Sequence, residues 1–345
     1  MKRVLAVLVF SVATAAMAAS EAKPFVGSWA LTIPGGGAGW LGVEEQDGAL
    51  KGSVLWGGGS VLPVSSVKVD GDTLIVTRVL APPPTKVAKG EKGEKAGKAA
   101  KAKAPARRTT ETIKAKVEGD KMSLTIERDR GDGKVSIPEA FTGVRIPPLP
   151  ARPDLSKVKF GDPINLFNGE NLDGWTLMPP NAANGWSVKD GALANDPKQE
   201  KGQPHKRYGN LRTAREFGDF NLTLETNVPK GGNSGIYLRG IYEIQVADSF
   251  GRPLDSHNMG AIYSRICPTE GAEKPAGEWQ TFDITLVDRH VTIVLNGKKI
   301  TDNQPLLGCT GGALWSDQFR PGPIYLQGDH TGVSYRNIVL RPVVK

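Results

Sequence analysis

The stretch Gly231-Gly232-Asn233-Ser234-Gly235-Ile236-Tyr237-Leu238-Arg239-Gly240-Ile241-Tyr242-Glu243-Ile244-Gln245-Val246-Ala247-Asp248 decides the fold. A glycine-rich turn leads into alternation with a period of two, which marks β-strand rather than helix. Ile236, Leu238, Tyr242, Ile244 and Val246 hold even positions and are apolar; Tyr237, Arg239, Glu243 and Gln245 hold odd ones and are polar or amphipathic, with Ile241 the exception. Successive strand side chains point to opposite faces, so one face packs a core. The other presents a phenol, a cation, a carboxylate and an amide in a row. The pattern predicts a strand from Gly235 to Asp248, with Gly240 as a bulge, a bend or a point of close approach. Two readings of the polar row stay open at this point: an ordinary solvated strand face, or a site.

The rest of the chain repeats the theme. Short apolar runs separated by turn signals, with 42 Gly and 25 Pro in 345 residues, favour an all-β protein. Asp47-Gly48, Asp70-Gly71 and Asn296-Gly297 are hairpin signals. Residues 24–146 read as a small β-barrel or β-sandwich of six to eight strands, without a visible catalytic constellation. Pro147-Pro148-Leu149-Pro150-Ala151-Arg152-Pro153 opens a Pro-rich linker over 147–162. Residues 163–345 then carry eight or more antiparallel strands, which fit a two-sheet jelly roll.

The ends and charges set further bounds. Met1-Lys2-Arg3, the apolar run Val4–Val12 and Ala16-Met17-Ala18 have the three parts of a secretory signal over residues 1–18. The expected location is periplasmic or secreted, and no stretch reaches the ~20 apolar residues of a membrane span. The formal net charge is +8, but residues 82–108 alone hold seven Lys and two Arg against two Glu. The remainder is close to neutral, which excludes a nucleic-acid partner recruited by a basic face. The 82–108 segment is Lys/Ala/Pro-rich and cannot bury enough apolar surface to fold, so it is expected to be disordered, with contact to an anionic surface as its functional reading. Cys267 and Cys309 are the two cysteines, and an exported chain leaves their pairing open.

Six motifs occur in order: Phe167–Trp175 (FNGENLDGW), Gly231–Arg239, Tyr242–Gln245, Gly260–Tyr263, Pro275–Asp283, and Gly322–Gln327 continuing to Tyr335–Ile338. Together they resemble the 3-keto-disaccharide hydrolase domain family, over roughly residues 163–341. The resemblance implies a concanavalin-like jelly roll in an exported bacterial protein. It also implies a carbohydrate substrate oxidised at C3, in which the ketone acidifies the C2 proton. A base removes that proton, the C1–oxygen bond is expelled from the enolate, and water adds back.

Such chemistry needs a base, donors on the developing oxyanion and an acid for the leaving oxygen. The candidate catalytic residues are Glu243 as base, Arg239 on the enolate oxygen and His330 as acid–base group. Arg239 also reads as a plain partner for Glu243. Asn233, Tyr237, Gln245 and Gln327 are candidates for bonding sugar hydroxyls, and Trp279 and Tyr263 for stacking on a sugar face. His257 is a weaker candidate, and His205 and His290 read as surface positions. No cofactor is fixed by the sequence; a divalent metal on Asp248 with Glu243 stays open, although their opposite parity argues against a shared site. The rival reading is a non-catalytic, lectin-like carbohydrate-binding module on the same fold.

Overall fold

The computed structural model describes residues 22–80, 108–132 and 134–344. The secretory signal and nearly all of the 82–108 segment lie outside the described residues. The protein is nearly all β, and two compact units emerge. One takes in the residues up to Gly27 together with Gly42–Ser53 and Pro63–Gly143; the other comprises Ser28–Leu41, Val54–Leu62 and Val144–Lys345. The C-terminal unit therefore includes two segments that precede the Pro-rich linker.

The N-terminal strands are β1 (Gly27–Thr32), β2 (Ala38–Gln46), β3 (Ala49–Trp56), β4 (Leu62–Pro63), β5 (Ser66–Asp70), β6 (Thr73–Leu80), β7 (Thr109–Glu118), β8 (Lys121–Asp129) and β9 (Glu139–Arg145). They form one sheet in the order β4-β3-β2-β1-β9-β8-β7-β6-β5. The expectation is six to eight strands; nine are present among the described residues, the two-residue β4 being too short to show any alternation and β5 spanning only five residues. The sheet's two edge strands follow one another directly in sequence. Val64 N–H donates to Gly52 and Ser65 N–H donates to Thr77, 2.9 and 2.8 Å, so the sheet curls round to bring its ends together. Barrel-like closure of this kind removes exposed strand edges. Asp47 (φ 53°) and Gly48 (φ 73°) form the turn between β2 and β3 that the Asp-Gly pair predicts.

The C-terminal unit is a jelly-roll sandwich of two antiparallel sheets. Its strands are β10 (Lys159–Phe160), β11 (Ile164–Asn165), β12 (Trp175–Met178), β13 (Trp186–Lys189), β14 (Ala192–Asn195), β15 (Asn210–Thr213), β16 (Phe220–Asn227), β17 (Asn233–Leu238), β18 (Tyr242–Ala247), β19 (Trp279–Val287), β20 (His290–Leu295), β21 (Lys298–Pro305), β22 (Tyr325–Leu326) and β23 (Val333–Val344). One sheet runs β13-β14-β23-β16-β19-β20-β21, with β10 and β11 also on β23; the other runs β12-β15-β22-β17-β18. Between them lies one continuous core, in which Leu222, Leu224, Phe282, Ile284 and Ile293 of the larger sheet and Ile236, Leu238, Ile244 and Val246 of the smaller are fully buried. Apolar burial of this extent is the main stabilising term.

The organising stretch departs from its reading in two ways. It is a hairpin, not one strand: β17 and β18 pair antiparallel around Arg239 and Gly240. Both turn residues have positive φ, 55° and 68°, and Ile241 N–H donates to Leu238 C=O at 3.1 Å. Positive φ at both central positions suits the right-handed twist of a hairpin. Gly240 supplies that conformation freely, and a Cβ there would also lie 2.8 Å from Leu314. Arg239 hid the turn, because the residues that advertise positive φ are Gly, Asn and Asp. The second departure is burial. The odd-numbered face is covered, with Tyr237 1%, Glu243 3% and Gln245 5% exposed. A solvated polar face is therefore excluded.

Candidate active site

The alternation puts Asn233, Gly235, Tyr237, Glu243 and Gln245 on the face of the smaller sheet opposite the core. In register, Tyr237 stands across from Glu243 on β18 and from Tyr325 on β22, while Gly235 stands across from Gln245. Gln327, just past β22, donates its N–H to Gly235 C=O at 3.0 Å. The long excursion between β18 and β19 returns along the outer edge of β18. Gly260 N–H and Tyr263 N–H donate to the carbonyls of Gln245 and Glu243, 2.9 and 3.0 Å. A second excursion supplies Thr310, whose hydroxyl accepts from Glu243 N–H at 2.9 Å. These two segments close the outer edge of β18, and Gly311 and Gly312 of the second lie against the Tyr237 phenol.

At the centre is Glu243. Gly235 leaves room for it: a Cβ on that glycine would sit 2.5 Å from Glu243 Oε1. Tyr237 Oη lies 2.9 Å from Glu243 Oε2 and 2.8 Å from the carbonyl oxygen of Gly311. A phenol has one proton and cannot donate to both. Both contacts are satisfied when Tyr237 donates to Gly311 and a protonated Glu243 donates to Tyr237. The energetics agree. Burial pushes the Glu243 carboxyl up to about 8, and the Tyr237 hydrogen bond and the charge of His330 offset only part of that. Tyr237 itself is raised, first by burial and then by the neighbouring Glu243.

Around this carboxyl are groups without partners. The side-chain oxygens of Asn233, Gln245 and Gln327 are buried and make no hydrogen bond. Buried polar atoms are almost always paired, so three such acceptors on one sheet face make that face a candidate binding surface. His330 follows at the end of the same sheet, half-exposed, with Nδ1 2.8 Å from Asp329 Oδ1. That carboxylate raises the His330 imidazole above its ordinary value, and Asp329 is lowered in turn despite its partial burial. Asn210 donates to the Tyr325 hydroxyl, which orients the phenol beside Tyr237; the two rings are 4.4 Å apart.

The structure thus brings together Asn233, Tyr237, Glu243, Gln245 and Gln327, with His330 electrostatically linked to Glu243. Other candidates stand elsewhere. Arg239, in the hairpin turn, donates through Nη2 to the carbonyls of Gln318 and Arg320, 2.5 and 2.6 Å, and lies 4.0 Å from Asp219. It is not the partner of Glu243, whose partner is Tyr237. A cavity of about 670 Å³ adjoins Arg239, Asp219, Arg289 and Phe319, at the hairpin end and without Glu243 in its wall. Trp279 is on the larger sheet, with the Arg336 guanidinium 3.9 Å over its ring. Tyr263 meets the His257 ring edge-on at 4.9 Å. Asp248 accepts the N–H of Gly231 at 2.8 Å and does not join Glu243. Among the described residues no three His, Cys, Asp or Glu side chains are grouped to hold a metal.

Some features were not legible. His290 is buried, 6% exposed, with Nδ1 2.9 Å from Asp288 C=O, where a surface position was expected. Both cysteines are free. Tyr325 is not readable as a site residue, since β22 has only two residues and gives no alternation; Asn210, on β15, and Asp329, past β22, are brought in by tertiary placement alone. The one available signal was Tyr325-Leu326-Gln327 within the Gly322–Gln327 motif.

A family model described as a 3-keto-alpha-glucoside-1,2-lyase-like domain matches residues 162–341. A protein of Bacteroides thetaiotaomicron named 3-keto-disaccharide hydrolase is 28% identical over 143 residues, covering 34% of this chain and 49% of that one. The chain therefore spans about half the length of that relative. Among solved structures, a protein of Parabacteroides distasonis titled as a candidate glycosyl hydrolase is 29% identical, covering 57% of this chain and 93% of that one, with a TM-score of 0.44. A second candidate glycosyl hydrolase of that organism is 26% identical, covering 53% of this chain and 100% of that one, with a TM-score of 0.39. The matched region takes in more than half of the sequence and every residue gathered around Glu243, and the chain belongs to the family of 3-keto-alpha-glucoside-1,2-lyase-like domains.

Proposed function

We propose that this protein is an exported enzyme that cleaves glycosides oxidised at C3, by proton abstraction at C2 and elimination across C1–C2. The observation that carries the reading is the buried Glu243 carboxyl, wedged over Gly235 on a sheet face that also holds three amides whose oxygens make no hydrogen bond. A carboxylate that binds protons this tightly is a stronger base than an exposed one, which the weakly acidic C2 proton requires. Glu243 takes that proton, and the electron pair moves into the C2–C3 enolate. Each amide offers an acceptor and two donors, so Asn233, Gln245 and Gln327 hold sugar hydroxyls and stabilise the enolate oxygen. The C1–oxygen bond then breaks, His330 protonates the departing oxygen, and water adds to the unsaturated product. Asp329 keeps His330 in the protonated form that an acid must have.

Arg239 has no part in this scheme, because its donors serve backbone carbonyls. Export rests on the leader at residues 1–18. The test compares matched glucosides, one intact and one carrying the 3-keto group. Cleavage of the oxidised glucoside alone is expected. Cleavage of the intact one would point to two-carboxylate glycosidase chemistry. Saturable binding without cleavage of either would make the protein a binding module.

A further inference from the structure

Residues 54–62 lie outside the family match yet belong to the C-terminal unit, and their loop touches both segments that cover Glu243. The first is the turn that carries the Tyr237 acceptor. Gly312 N–H donates to Gly57 C=O at 3.2 Å. Gly311 is seated on Gly59 so closely that a Cβ would be 2.1 Å from the Gly59 carbonyl oxygen. Gly312 in turn faces the phenol, where a Cβ would be 2.7 Å from Tyr237 Oη. The second is the excursion along β18. Ser60 Oγ is 3.0 Å from His257 Nε2, and Val61 N–H donates to Ser264 Oγ at 2.8 Å. Tyr263, between those two, donates its N–H to the Glu243 carbonyl.

We infer that the Gly57–Ser60 loop is a positioning element for Glu243: by fixing the Gly311 carbonyl it sets which way the Tyr237 proton points, and so how firmly Glu243 holds its own proton. With Gly311 in place, Tyr237 spends its proton on the carbonyl and accepts one from Glu243. With Gly311 displaced, the phenol turns to the carboxylate and favours its ionised form. This gives part of the chain before the linker a task in the site. It deepens the proposed reaction and rests on it for its catalytic meaning.

The test uses the full chain, with the Glu243 side-chain carboxyl followed by carbon-13 NMR across pH, beside thermal unfolding. Gly311→Ala, which collides with Gly59 backbone, should lower the Glu243 midpoint by about one pH unit. Ser60→Ala, which cuts the tie to His257 without steric strain, should lower it in the same direction by less, and Ser60→Thr should restore it. The other ionisable groups coupled to Glu243 are Tyr237, Tyr325, Tyr335, Asp329 and His330, so the His330 midpoint is followed beside it and should move by less than that of Glu243. A fall in melting temperature with the Glu243 midpoint unmoved in both variants would overturn the inference. The NMR readout needs no substrate, so a wild type that fails to cleave 3-keto glucosides would sink the proposed reaction and leave this test intact.

Discussion

Tyr237 and Glu243 face each other in register, and everything proposed for the site depends on one proton between them. Glu243→Gln keeps the size and hydrogen-bonding reach of the side chain but removes the base. It should reduce kcat for a 3-keto glucoside by about three orders of magnitude or more, while sugar binding survives. The same variant tests burial through stability. Glu243 binds its proton more tightly folded than unfolded, since its value moves from the ordinary 4.5 to about 8. That contribution is complete below about 4.5 and is lost as pH rises through about 8, a difference of a few kcal/mol. Against Glu243→Gln, the wild type should therefore lose melting temperature steadily between pH 5 and 8. Parallel melting curves for the two proteins across that window would contradict the buried, proton-binding Glu243. For activity, kcat/KM should follow a bell, with ionisation of Glu243 needed on one limb and loss of the His330 proton lowering the rate on the other. The row of odd positions was readable in the sequence, because alternation alone places Tyr237, Glu243 and Gln245 together. Their burial was not, since the covering segments 257–264 and 309–312 have no periodicity and touch the strand only through tertiary contacts.

Hairpin and cradle operate at the level of the element. Gly235 is the one position on β17 where a side chain would displace the carboxyl, 2.5 Å from Oε1. Gly235→Ala should cut activity at least tenfold and cost about 1–3 kcal/mol of stability, because the buried carboxyl has to shift to clear the new Cβ. The Arg239–Gly240 turn behaves differently. Replacing Arg239 by Ala removes the donors that satisfy the Gln318 and Arg320 carbonyls, which should cost about 1–3 kcal/mol of stability. Its residual kcat, measured where the variant is fully folded, should stay well above that of Glu243→Gln. A loss equal to that of Glu243→Gln would return Arg239 to the chemistry. The turn was illegible for a definite reason. Hairpins are found in sequence by Asn-Gly and Asp-Gly, as at Asn296-Gly297 with φ 51° and 82°, and Arg-Gly does not announce the same geometry. Trp279 failed differently: it lies on the other sheet under Arg336, and sequence motifs do not say which sheet a strand joins.

For the whole molecule, the all-β class and the jelly roll were legible, because short alternating runs with turn residues recur over the full length. The division of the chain was less so. The Pro-rich linker begins at Pro147, yet Ser28–Leu41 and Val54–Leu62 belong to the C-terminal unit, and no composition shift marks them. Net charge also acts at this scale. The excess is concentrated in residues 82–108, outside the residues that the family model matches. Deleting 82–108 should leave cleavage and unfolding unchanged and abolish salt-sensitive adhesion to anionic polysaccharide. Reduced kcat in the deletion would assign that segment to the site instead.

The most direct measurement is hydrogen exchange at C2 of a 3-keto glucoside in D₂O, followed by proton NMR with wild type and with Glu243→Gln. Wild type should wash deuterium into C2 of the recovered substrate or lose the C2 proton in step with cleavage, and Glu243→Gln should do neither. Cleavage by wild type with the C2 proton retained in the product, or undiminished exchange by Glu243→Gln, would contradict Glu243 as the base of an elimination.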